Sequence, residues 1–120
     1  MIEERRKYVR LNVKIEFTYK KKGVPGPEKK SVTKNISLGG VQAELDESIK
    51  QGDWLELNIS IPNTEKPIYC IAKIVWLSEE TAGKITAGIK FEDIACDMKN
   101  KFMEYMCEIM YDELKKSRLW

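Results

Sequence analysis

The stretch VRLNVKIEFTYK, residues Val9 to Lys20, decides the fold. Val9, Leu11, Val13, Ile15, Phe17 and Tyr19 alternate strictly with Arg10, Asn12, Lys14, Glu16, Thr18 and Lys20. Successive side chains of a strand point to opposite faces, so this period of two predicts one strand with an apolar inner face and a wet outer one. Directly after it, Lys21-Lys22-Gly23-Val24-Pro25-Gly26-Pro27 breaks the pattern: proline cannot donate to a ladder and glycine accepts positive φ, so the chain turns there.

Working outward, a second strand is expected from about Glu28 to Ile36 and a third through Val41, Ala43 and Leu45, with Gly39-Gly40 turning the chain between them. A fourth covers Trp54 to Ile61 and stops at Pro62. In the run Ile68 to Leu77 both alternate sets are largely apolar, which predicts a strand covered on both faces. Ile85, Ala87, Ile89 and Phe91 mark a sixth, after a turn around Glu79-Glu80-Thr81-Ala82-Gly83. Six short strands with hairpin-like spacing and no intervening helix point to an antiparallel sheet closed into a small barrel, because closure removes exposed edges.

From about Cys96 the period changes. Met98, Phe102, Tyr105, Met106 and Ile109 recur at helical spacing, while Asp97 near the start and Lys115 and Lys116 near the end suit the helix dipole. The fold class is therefore all-β with a C-terminal helix, one domain divided into an arm over residues 1–10, a barrel over 11–92 and a helix over 96–116. Beside the first stripe runs a second one, Met103, Cys107, Met110 and Leu114. Either the helix lies in a groove of the barrel and buries both stripes, or the second meets a protein partner or another copy of the chain.

The 120 residues carry 21 basic and 19 acidic side chains, a near balance that disfavours coating a nucleic-acid polymer through bulk charge. The first third is locally basic, with eleven lysines and arginines before position 35 against Glu3, Glu4, Glu16 and Glu28. Histidine is absent and Cys70, Cys96 and Cys107 lack metal-ligand spacing, so neither a zinc site, a metal nor a cofactor is expected, and nucleophilic or acid–base catalysis finds no support. No signal-like start and no apolar run near the roughly 18 residues of a membrane span are seen, so the expected compartment is cytoplasmic.

Two polar stretches remain: Arg5-Arg6-Lys7-Tyr8-Val9-Arg10 and Asn35-Ile36-Ser37-Leu38-Gly39-Gly40. On an extended chain Arg6 and Arg10 stand on one side, about 13 Å apart. A guanidinium fork binds phosphate bidentately, pairs with the O6/N7 edge of guanine and stacks on bases. Asn35 adds an amide that donates and accepts, Ser37 a hydroxyl, and Gly40 room for close backbone approach.

Arg6-x-x-x-Arg10 followed by Asn35-x-Ser37-x-x-Gly40 resembles the two-part signature of PilZ domains, bacterial receptors for cyclic di-GMP. The likeness extends through Gly39, the strand bearing Trp76 and the ending Gly88-Ile89-Lys90-Phe91 to the final helix. It implies a six-stranded barrel whose arginine arm folds over the ligand: Arg6 and Arg10 on guanine and phosphate, Arg5 as a third guanidinium, Asn35 and Ser37 hydrogen-bonding the nucleotide, Gly39 and Gly40 at the turn. Asn35 stands where the family accepts Asp or Asn. The leading expectation is a receptor that passes ligand occupancy to a protein effector or to self-association. The alternatives are a PilZ-like protein adaptor that binds little or no nucleotide, and a small barrel binding single-stranded RNA. The last is disfavoured because Phe17, Tyr19, Trp54 and Phe91 fall largely on faces the alternation assigns to the core.

Overall fold

The computed structural model describes residues 10–62, 64–79 and 83–117. Six strands, β1 (Glu16–Lys21), β2 (Lys29–Ile36), β3 (Gly40–Asp46), β4 (Trp54–Ile59), β5 (Ile68–Glu79) and β6 (Lys84–Ile94), form a closed antiparallel barrel in the order β1-β2-β3-β6-β5-β4. A single 3₁₀ turn, Cys96–Met98, leads into the helix α1, Lys99–Ser117. Pairing of Phe17 with Ile59 and Lys21 with Leu55 closes the ring, so each strand has a neighbour on both sides.

The inward positions behave as the alternation requires. Phe17, Tyr19, Ile36, Val41, Ala43, Leu55, Leu57, Ile59, Ile74 and Ile89 are buried, and together they fill the barrel. Helix α1 closes it with Phe102 and Met106, both fully buried; Phe102 meets Phe91 edge to face, ring centroids 5.6 Å apart. Each of these side chains contributes about 1.5–3 kcal/mol by leaving water. Gly23 and Gly26 take positive φ in the β1–β2 loop, as the turn chemistry requires.

Four expectations need correction. The ladder of β1 begins only at Glu16, while Val9 lies outside the described residues. Leu11 to Ile15 keep the in–out burial, but their backbone groups are met differently: Leu11 exchanges hydrogen bonds with Ile36 (2.8 and 3.0 Å), and the buried Thr33 hydroxyl accepts Ile15 N–H at 2.9 Å and donates to the Val13 carbonyl at 2.6 Å. A side chain thus replaces rungs of the ladder. Strand β5 is not covered on both faces, since Tyr69, Val75 and Trp76 are exposed; a bulge between Ile74 and Trp76 turns two consecutive side chains outward. Trp54 points outward as well, because Leu55, Leu57 and Ile59 occupy the inner face of β4, and Lys73 lies over its ring at 5.5 Å. The barrel also runs past residue 92, to Ile94.

The two helical stripes separate on the surface. Met98, Tyr105, Ile109 and Met110 pack on the core beside Phe102 and Met106, so Met110 belongs with the buried stripe. Met103 and Cys107 are exposed, Met103 at 50%. The Leu114 and Cys96 side chains lie outside those described.

Candidate functional site

The bulge in β2 between Thr33 and Asn35 sets the site. It leaves Lys34 as the extra residue and brings Asn35 opposite Gln42 of β3 on the outer face. Arg10, just before the Leu11–Ile36 bridge, donates from Nη1 to Asn35 Oδ1 at 2.7 Å, and Asn35 Nδ2 donates to Gln42 Oε1 at 2.9 Å. Gln42 pairs in turn with Gly88 of β6, and Gly88 with Trp76 of β5. One row therefore crosses four strands: guanidinium, amide, amide, a bare glycine and an indole. A Cβ on Gly88 would stand 2.1 Å from Trp76 Nε1, so glycine is what admits the indole against the sheet.

The turn that follows is built by its own polar groups. Ser37 is 3% exposed; its backbone N–H donates to the Gly40 carbonyl (2.8 Å), and its hydroxyl accepts Gly39 N–H at 3.1 Å. The hydroxyl is spent on closing the turn and faces inward. The Gly39 carbonyl accepts Phe91 N–H at 2.8 Å, which pins the turn to the end of β6. Gly40 is required for a reason other than a left-handed backbone: a Cβ there would meet the Ile89 carbonyl oxygen at 2.1 Å, across the ladder from β3 to β6.

Of the residues the sequence singled out, Arg10, Asn35, Ser37, Gly39 and Gly40 gather at this end of β2 and β3. Arg5 and Arg6 lie outside the described residues. Gln42 was missed, because an outward glutamine in a strand carries no signal until the bulge fixes its partner. Among the described residues no group of acids and cysteines could hold a metal ion, and no helix is long and apolar enough to cross a membrane.

The PilZ domain family matches residues 4–107, and the chain belongs to that family. Its barrel and helix are those of known PilZ structures. Bacillus subtilis MotI/DgrA, an inhibitor of motility, superposes with a TM-score of 0.72 at 21% identity, over 97% of this chain and 55% of its own. The PilZ domain of Escherichia coli YcgR, solved with c-di-GMP, gives 0.70 at 13% identity, over 95% of this chain and 98% of its own. Klebsiella MrkH in complex with c-di-GMP gives 0.69 at 12% identity, over 97% and 56%. The chain thus spans about half the length of MotI and MrkH. No curated protein matches it in sequence. PilZ domains are ligand-binding or adaptor domains.

Proposed function

We propose that this chain is a cyclic di-GMP receptor whose ligand lies along the outer row from Arg10 to Trp76. The observation that carries the reading is the 2.7 Å bond between Arg10 and Asn35, which joins the two halves of the motif at one point of the barrel. Arg10 offers phosphate or the guanine O6/N7 edge a charged fork, Asn35 and Gln42 offer amides, and the Trp76 face beside Gly88 offers a base a stacking surface. Arg5 and Arg6 would add guanidinium groups from the N-terminal arm, while Ser37, Gly39 and Gly40 act by fixing the turn. Binding reorders the arm and is passed on, in the cytoplasm, to a protein effector or to self-association.

Calorimetric titration with cyclic di-GMP tests this. Wild type should bind at about micromolar Kd or tighter. Arg10→Ala should weaken binding about 10- to 100-fold, the value of one or two charge-assisted hydrogen bonds. Absence of binding heat from wild type at tens of micromolar refutes the proposal.

The exposed face at Met103 and Cys107 favours a second reading, an adaptor that acts through the helix and binds little nucleotide. Met103→Glu should then dissociate a homodimer or release a partner; an unchanged oligomeric state and unchanged partners would remove its basis.

A further inference from the structure

A groove of about 550 Å³ runs over the outer side of β2 and the end of β3, beginning at Lys34 beside the site described above. Five lysines line it: Lys14, Lys29, Lys30, Lys34 and Lys84. Its two carboxylates differ in availability. Asp46 is already engaged, accepting the Tyr19 hydroxyl at 2.9 Å, the Lys29 ammonium at 3.0 Å and the Ser48 hydroxyl, which leaves Glu44 as the other acid. Lys34 donates to Thr86 at 3.2 Å, while Lys14, Lys30 and Lys84 have no ion pair among the described residues. The groove is therefore cationic on a chain whose overall charge is only +2.

The arrangement selects among anions. Its cations are lysines throughout, point charges without the planar fork that grips phosphate or guanine bidentately. Its one ring, Tyr19, is buried and its hydroxyl is taken by Asp46, so a base finds nothing to stack on. Lys30, Val32 and Lys34 stand outward at alternate positions of β2, with Val32 41% exposed between the two ammonium groups. Lys30 and Val32, alternate residues of the regular part of β2, are about 6.6 Å apart, the repeat of an extended peptide laid alongside, and Lys34 continues the row at the bulge. Charge, apolar contact, charge at that spacing matches acid, apolar residue, acid at every second position.

We propose that this groove binds an extended acidic segment of a protein partner, with carboxylates on Lys30 and Lys34 and an aliphatic side chain on Val32. Lys14 and Lys84 receive flanking acids. The surface works independently of nucleotide binding, so the proposal stands or falls apart from the receptor reading.

The test is fluorescence anisotropy at about 50 mM salt, where surface charge is weakly screened. The probe is a fluorescein-labelled peptide with the order glutamate, serine, leucine, serine, glutamate, flanked by aspartates. Wild type should bind it with a Kd of about 10–100 μM. Lys30→Glu combined with Lys84→Glu should weaken binding at least about tenfold, and exchanging leucine for serine in the peptide should cost about three- to tenfold. The milder pair Lys14→Gln and Lys30→Gln decides if the reversals disturb folding, monitored by circular dichroism; here about threefold or greater loss supports the proposal. Absence of peptide binding, equal binding by the neutralised variant, or displacement by tripolyphosphate or a short single-stranded oligonucleotide at a tenth of the concentration that free peptide needs would overturn it.

Discussion

Gly40 and Gly88 allow a matched comparison, because a Cβ added at either would come within 2.1 Å of another atom. At Gly40 the obstacle is the Ile89 backbone oxygen, held in the β3–β6 ladder; at Gly88 it is the pyrrole ring of the Trp76 indole, a side chain 39% exposed. A carbon and a carbonyl oxygen need roughly 3.3 Å, so Gly40→Ala must push two backbones apart by about 1 Å. That loses one or two ladder hydrogen bonds in a buried place, at about 1–3 kcal/mol each, offset by about 0.5–1 kcal/mol from the stiffer unfolded chain. The net expectation is about 3 kcal/mol, or a fall in Tm of roughly 10–15 °C. Gly88→Ala has an escape, since the indole can swing into water, and its cost should stay near 1 kcal/mol or below. Urea denaturation followed by circular dichroism gives both values. A Gly40→Ala variant within about 1 kcal/mol of wild type, or a Gly88→Ala variant as unstable as Gly40→Ala, would refute the distinction between backbone and side-chain obstruction.

Thr33→Val should cost about 2–3 kcal/mol, because it leaves Ile15 N–H and the Val13 carbonyl without their partner; a loss under about 1 kcal/mol in urea denaturation would show that water replaces the hydroxyl. Burial pushes the Tyr19 hydroxyl up to about 12, and the Asp46 carboxylate reinforces the shift, so its contribution to stability is complete below about pH 10 and is lost as pH rises towards 12. Burial opposes ionisation of Asp46, yet hydrogen bonds from Ser48, Lys29 and Tyr19 outweigh it and hold its carboxyl well below the usual range. Its contribution is present above about pH 4 and fades as pH falls below that value, so Asp46→Asn should flatten the acid limb of a Tm-versus-pH curve and leave it unchanged if these bonds count for nothing. Burial also raises the Cys70 thiol to about 12, whereas Cys107 is exposed. With a thiol-reactive dye at pH 8, Cys107→Ser should remove a fast-reacting thiol and Cys70→Ser should not change the fast amplitude.

The barrel was legible because its inner face is written in a period of two: Phe17, Tyr19, Leu55, Leu57 and Ile59 each fall where alternation puts them. The helix was legible through the spacing of Phe102 and Met106. Bulges are what alternation cannot announce, since one extra residue shifts the phase without altering composition. Those in β2 and β5 accordingly hid the pairing of Asn35 with Gln42 and the exposure of Trp76 beside Val75. Ser37 was recognisable as a motif residue, but its hydroxyl's inward task depends on the placing of Gly39 and Gly40, which only the folded turn defines. The lysine groove was present in sequence as excess charge; which lysines share a face awaited the register of β2 with β1 and β3.

The contact between Arg10 and Asn35 means that the candidate site carries its own competitor. A ligand that needs this Nη1 donor must displace the amide oxygen, whereas one that takes other N–H groups of the guanidinium need not, and Asn35 is further restrained by its bond to Gln42. Giving up this charge-assisted bond costs about 1.5 kcal/mol or more, roughly a tenfold toll on apparent affinity. Under the receptor proposal, a dinucleotide that engages arginine, amides and indole together would recover that toll, whereas inorganic phosphate or a lone nucleobase would not. On that proposal the Arg10–Asn35 clasp would be a threshold against small anions.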